Sequence, residues 1–419
     1  MESKNLGVLS NTWVSIGRRY SNNFQKGFYL MFSPAKPKNY FLSQVHQPFF
    51  LLGVIFAIVV MLVFLLAYKG IITLVVDSIA FHSYSLIYLV FTQFFTGFIF
   101  TTFPRFTQSN VIEKKYYLGV FTILQAGAIL FVLGALFSIY LLYLALILMF
   151  VSNMLIVFKL QNIYTKSDKN LRSDPKWILT GFYFGLLGHL LYILSFLNFS
   201  VDAAAIALNL YLIFVTFAIA QRMVPFFSHS AASKNERFAS TVFAGLFLKV
   251  LTVYFAFSYL ESLIDIILGF YIAFEIKRWR VPFKGSAAIL KILHISLYWL
   301  IASFIIGGLA RLLEINFGLN FMQLDTHLLA LGFLTTMLIG FGTRVTLGHA
   351  GQAPHADNIT EKIFYFLQAV VVGRILLSLA AGFNMQMFWL FDLSVVLWVL
   401  LFAIWTAQFG PVLISGKKI

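Results

Sequence analysis

DTHLLALGFLTTMLIGFGTRVTLGHAGQAP, residues 325–354, decides the fold. Between Asp325 and Arg344 nothing is charged, and the run is Leu, Phe, Gly, Thr and Met. At about 1.5 Å per helical residue it spans the roughly 30 Å of a bilayer's hydrocarbon. It opens on a histidine, His327, and closes on an arginine and the Gly-rich turn LGHAGQAP, which holds His349. Working outward, the same kind of run recurs along the chain. Spans are expected at 48–67, 79–102, 116–136, 138–159, 177–198, 203–222, 239–259, 262–276, 287–310, 325–346, 363–383 and 388–413, of which 262–276 is the shortest. Of the 419 residues, 60% are hydrophobic and 11% charged, where a soluble domain carries about a quarter charged. The chain is therefore expected to be an all-α, polytopic membrane protein with about twelve transmembrane helices.

The net charge of +15 invites a nucleic-acid partner, but its distribution excludes one. With loops alternating from the inside, every Lys and Arg except Lys69, Arg311, Lys249 and Arg374 falls on the inner side. Asp77, Asp202, Glu261, Asp265, Glu314, Asp325 and Asp392 fall outside or at the outer edge. This is the positive-inside bias, and it places both termini in the cytoplasm. The basic inner face then meets anionic lipid headgroups of the bilayer. Residues 1–47 form a basic cytoplasmic arm, whose Trp13, Phe28, Tyr29 and Phe32 suit a membrane surface. Residues 48–413 form one transmembrane domain, and 414–419 a cytoplasmic tail. The first 45 residues lack a continuous apolar stretch, so no cleavable signal peptide is expected. Cysteine is absent, which rules out disulfides, thiolate metal sites and cysteine-held iron–sulfur clusters.

A weak repetition links spans two, six and ten. Each runs from outside to inside and ends at an arginine: TTFPRFTQ with Arg105, AQRMVPFFS with Arg222 and FGTRVTLGH with Arg344. One explanation is a set of inner-interface anchors. The other is a threefold arrangement of four-helix units, its arginines pairing cofactor carboxylates or a quinone headgroup. Gly181, Gly185 and Gly188 share one face of span five, leaving either close helix packing or room for a flat cofactor.

Histidine is the sharpest chemical signal, because a polar side chain inside lipid is costly and histidine is the commonest metal ligand. His82 and His327 sit at one level, near the outer ends of spans two and ten. His189 is near the middle of span five, and His294 lies about 10 Å in from the inner end of span nine. His46 precedes span one and His349 follows span ten, both on the inner side, while His229 and His355 fall in solvated loops. A haem iron takes axial ligands from opposite faces of a flat disc, which two facing helices can supply. His82 with His327 is the leading pair. For His189 and His294 the rival is a buried histidine bonded to a neighbouring hydroxyl, and for His349 a cap on free helix carbonyls. Arg374, deep in span eleven, needs a partner such as a haem propionate or backbone carbonyls, and Lys249 needs one too. No zincin motif, P-loop or nucleophile elbow is present.

Five elements in order resemble the NnrS family of bacterial inner-membrane proteins: QPFFLLG, FHSYSLIYLVFTQFFTGFIFTTFPRFTQ, QRMVPFF, KILHISLYWL and the stretch quoted first. The resemblance implies a twelve-helix, multi-pass protein of the bacterial inner membrane that binds haem, of b type and one or two in number. It also implies copper, and a role in nitric oxide metabolism and nitrosative stress. His82, His189, His294, His327 and His349 match family histidines. The family's second helix reads His-x-His-Glu where this chain reads His82-Ser83-Tyr84-Ser85, so copper held by that element is doubtful here. The layout is also similar to the catalytic subunit of haem–copper oxidases, whose low-spin haem is held by helices two and ten near the outer side, but the tandem copper histidines have no counterpart.

Three functions compete on these grounds. The first is a haem-dependent redox protein that binds or reduces nitric oxide, with membrane quinol as electron donor. No carboxylate path through the spans is evident, which weighs against oxidase-like proton pumping. The second is a transporter or haem/metal carrier, which two similar halves and broken helices would signal. The third is a haem-based gas sensor, which would need a signalling partner. Oligomeric state is not legible.

Overall fold

The computed structural model describes residues 39–419, so the aromatic positions of the expected N-terminal arm lie outside the described residues. Every apolar run forms a helix, because in lipid only a helix satisfies its own backbone groups. The helices are α1 His46–Tyr68, α2 Ser78–Phe106, α3 Lys114–Phe137, α4 Ile139–Lys166, α5 Ser173–Phe196 and α6 Ala203–Phe227, followed by α7 Phe238–Tyr254, α8 Ser258–Trp279, α9 Ala288–Phe317, α10 Leu324–His349, α11 Asn358–Gly382 and α12 Trp389–Ser415. The described residues are an all-α bundle, as expected. Ten of the helices are long and apolar enough to cross a membrane; α7 is shorter and α8 more charged. The expected span 262–276 stopped short of α8 at Glu261 and at the basic Lys277 and Arg278, whereas the helix incorporates them.

The helices close into a ring of three four-helix units. Within each unit the third and fourth helices pair: α3 with α4, α7 with α8, α11 with α12. Between units, the first helix of one packs on the last of another: α5 on α4, α9 on α8 and α1 on α12. The α1–α12 junction is tied by Lys69 to Asp392 at 2.6 Å and by the Trp398 indole N–H donating to the Ala57 carbonyl at 2.9 Å. Both ends of the described chain lie together, with Gly416 close against the Tyr40 ring and the Ile419 amide donating to Gln352 at 3.0 Å. We call this the terminal face and the opposite one the far face.

The second helix of each unit lines the centre. α2, α6 and α10 are the most enclosed helices of the bundle and touch one another. Each opens into a π-helical stretch near its far end: Ser85–Phe91, Ala207–Ile213 and Leu328–Thr335. These stretches end at Phe91, Ile213 and Thr335 and the helices at Phe106, Phe227 and His349, so the three share one register to within a residue. A π turn frees carbonyls from the usual ladder, and such turns concentrate at functional places. Threonines satisfy some of them: Thr92 donates to the Ile87 carbonyl at 2.8 Å and Thr335 to Ala330 at 2.7 Å.

The glycine stripe of α5 packs against the π stretch of α6. A Cβ at Gly181 would stand 2.4 Å from Val215, one at Gly185 2.9 Å from the Tyr211 ring, and one at Gly188 2.8 Å from Ala207. Close helix approach fills that face, and no room for a flat cofactor is left there.

Candidate functional site

Near the far face, α2 carries His82 and α10 carries His327 at one level, with His82 within electrostatic reach of His327 and the Arg374 charge from α11 within reach of both. The His82 ring stacks on Phe64 of α1, centroids 4.2 Å apart, and Phe391 of α12 packs on the edge of Phe64. Among the described residues the His82 side chain makes no hydrogen bond, and its Nδ1 is fully buried and unpartnered. A buried polar atom left unpaired calls for a ligand or solvent not yet in view. His327 differs. Its Nδ1 lies 2.8 Å from the Gln323 carbonyl and 3.1 Å from the Arg374 guanidinium, and it cannot both donate to one and accept from the other. The carbonyl contact is shorter, and Arg374 is already bonded to the Met322 carbonyl at 2.8 Å and to the Ser378 hydroxyl. The proton therefore sits on Nδ1, leaving the Nε2 lone pair free, which is how a second partner prepares a histidine to ligate. Backbone carbonyls are thus among the partners that Arg374 was expected to find.

His189 is fully buried at mid-depth. Its Nε2 lies 2.9 Å from the Tyr84 hydroxyl and its Nδ1 2.8 Å from the Asn153 side-chain nitrogen. With Asn153 donating to Nδ1, Nε2 carries the proton and donates to Tyr84, so both ring nitrogens are engaged. Ser85 bonds back to the His82 carbonyl at 3.2 Å. The two positions where the resemblance implies His and Glu are therefore a bonded tyrosine and a helix-bonded serine.

At the terminal face the inner helices end in a collar. Arg222 of α6 lies 4.3 Å over the ring of Phe106, the last residue of α2, and Arg344 of α10 lies 3.9 Å over Phe227, the last residue of α6. Arg105 of α2 completes the cycle, 3.4 Å from Nε2 of His349, the last residue of α10. The threefold arrangement behind the three arginines thus has a structural basis, each meeting the end of a neighbouring inner helix. Arg222 is also held by Asp174 at 2.8 Å. The third position breaks the symmetry: His349 replaces a phenylalanine, and the buried His46 ring lies on it with centroids 4.7 Å apart. His46 makes no hydrogen bond among the described residues, and its Nδ1 is buried and unpartnered. His294, also buried, meets the Ser228 hydroxyl through Nε2 at 2.8 Å and has an unpartnered Nδ1. His229 and His355 are exposed.

The residue pattern missed one cluster. Lys249 of α7 bonds Asp265 of α8 at 2.7 Å and reaches Asp325 of α10 at 3.5 Å. Arg311 of α9 spans Asp325 and Glu261, both at 3.2 Å. The three acids were expected at the outer boundary but are buried, Asp265 completely. Sequence distance hid the cluster, though two unpaired basic residues and three acids within one turn or two of the same helix ends were a usable signal. A polar cavity of about 250 Å³ by Arg311, Glu314, Asn320 and Gln323 opens beside it.

The family model described as NnrS protein matches residues 40–417. The chain belongs to the NnrS family. It is thereby a membrane protein of a family linked to nitric oxide, and the match takes in all twelve helices. No curated protein matches the chain significantly. Within that span the far-face pair, the collar histidine and His294 form separate places in the fold rather than one pocket.

Proposed function

We propose that the protein is a haem-binding redox protein of nitric oxide metabolism, with the haem held between α2 and α10 by His82 and His327. The observation that carries this is the convergence of two imidazoles from facing inner helices, one with a free Nε2 and the other with no hydrogen bond at all, beneath the single cation Arg374. The donor set fits a b-type haem: His82 and His327 would hold the iron and the Arg374 guanidinium would pair a propionate. When bound, such a haem supplies one-electron exchange. The chain's own residues do the positioning. Gln323 fixes the His327 tautomer, Phe64 holds the His82 ring plane, and Arg374 anchors the charged edge.

With both imidazoles as its ligands, a haem held there would supply electron transfer rather than gas binding. We assign the gas-binding centre to the collar, where His46 and His349 offer a second, asymmetric pair that could take haem or copper. Arg105 stands there to neutralise an anion, and electrons come from membrane quinol at the terminal face. A transporter is less well supported, since the bundle repeats in thirds rather than halves and its inner helices carry π stretches rather than mid-membrane breaks. The termini and basic face belong to the cytoplasmic side of the bacterial inner membrane on the charge bias.

The test is the spectrum of the purified protein, oxidised and dithionite-reduced, with metal analysis of the same sample. Sharp reduced bands that vanish in His82→Ala and His327→Ala support the assignment. Adding nitric oxide to the reduced protein then separates a stable shifted spectrum, meaning binding, from reoxidation, meaning turnover. A colourless, metal-free protein overturns the proposal.

A further inference from the structure

The three inner helices do not fill the centre of the bundle. A cavity of about 30 Å³ lies between them, lined by Phe50 of α1, Phe94 and Phe98 of α2, Ile219 of α6, and Met337 and Phe341 of α10. Every inner helix contributes a wall, so the cavity sits on the pseudo-threefold axis. Counting from the helix ends at about 1.5 Å per residue, Phe98, Ile219 and Phe341 all lie about 12 Å in from the terminal face, just above the collar.

Its chemistry is uniform. The one hydroxyl in the lining, that of Thr216, donates to the Leu212 carbonyl at 2.7 Å and so has no proton to offer inward. A buried water needs two to four polar partners, and an apolar cavity without them stays dry and takes small apolar guests. Space for a single water is on the order of 10–15 Å³ on the same measure, so this cavity admits a guest of two or three atoms and excludes a lipid or quinone tail. Gly342 keeps it open, for a Cβ there would first meet Phe50 at 3.8 Å. Phe50 also forms the far wall of another site, since its ring stands edge-on to His46 at 5.6 Å and His46 faces His349.

We infer that the axial cavity is a holding site for one small uncharged gas molecule, separated from the His46–His349 pair by the single ring of Phe50. Its identity as nitric oxide rests on the function proposed above, but the existence of the site does not. A neutral diatomic partitions into the bilayer and crosses apolar helix contacts, whereas the apolar lining offers ions and water no polar partners. Phe50 is a positioning residue that sets the passage between cavity and histidines.

The test uses xenon on crystals of the full chain, read by anomalous scattering. One xenon on the axis between Phe94, Ile219 and Met337 is expected in the wild-type protein. It should be lost in Gly342→Leu, which fills the space, retained in Thr216→Val, and extended toward His46 in Phe50→Ala. Gly342→Ala, which the 3.8 Å clearance tolerates, should show reduced occupancy and guards against failure of the larger variant to fold. An axis without xenon in the wild-type protein, or xenon unaffected by the Gly342 variants, overturns the inference. Because xenon needs no haem, a positive result with a colourless protein would fault the redox function alone.

Discussion

The ring of His46 lies 4.7 Å from that of His349, and the contact stands where the symmetry of the bundle would place a phenylalanine beneath an arginine. Phe106 and Phe227 occupy the two equivalent places, at the ends of α2 and α6. A fold that repeats three times has thus been made different at one position, and the difference consists of two imidazoles, one of them with a buried unpaired nitrogen.

That asymmetry can be removed. His349→Phe restores the collar pattern, and aromatic-for-imidazole exchange at a helix end should leave the melting temperature of the detergent-solubilised protein nearly unchanged. Metal at the collar should fall to background on elemental analysis, while the far-face haem bands persist. If all bound metal survives in this variant, the second centre lies elsewhere.

Arg374 should tune the far-face haem. A cation beside the cofactor favours the reduced form, so Arg374→Gln should lower the midpoint potential, by roughly 60 mV if the change is tenfold in the equilibrium of a one-electron couple. A spectroelectrochemical titration reads this. No shift, or a rise, would place Arg374 away from the cofactor.

The buried ion cluster should be unforgiving of single changes. Lys249→Met strands the fully buried Asp265, and breaking one side of such a pair costs about 3–5 kcal/mol. Lys249→Met with Asp265→Leu should recover most of the loss, because paired removal leaves no orphan charge. Thermal unfolding in detergent of the two variants compares them directly, and an equal loss in both would show that the pair adds net stability.

Tyr84 marks where this chain leaves the family pattern. Its hydroxyl bonds His189 Nε2 at 2.9 Å, so a histidine at that position would set two imidazoles side by side. Tyr84→His should gain a copper or zinc equivalent, measured by metal analysis after dialysis, and should lose it again with His189→Ala. A variant that gains none would mean that Asn153 and the surrounding rings hold His189 turned away.

The number of helices, their ends to within about seven residues and the threefold plan were legible because each rests on a local signal: apolar run length, a charge bias that alternates, and an arginine at the end of every fourth helix. The shared level of His82 and His327 was legible from depth alone, since helical rise converts sequence position into height. What height cannot supply is azimuth. His46 and His349 were both placed at the inner side, but only packing shows that they face each other, and His189 at mid-depth turned out to be bonded on both nitrogens. The ion cluster draws Lys249, Glu261, Asp265, Arg311 and Asp325 from four helices, and no spacing in the chain announces such a meeting. The π stretches were invisible for another reason, since Ser85–Phe91 and Leu328–Thr335 have the composition of ordinary membrane helix.

The contact of α1 with α12 also bears on assembly. Phe64 and His82 are made early, Arg374 and Phe391 near the end of synthesis, and all four border the same space. The pocket wall therefore stays open to one side until the last two helices have entered the membrane. A group entering that space can do so before closure without any protein element having to move aside, and a chain truncated before α11 would expose His82 to lipid.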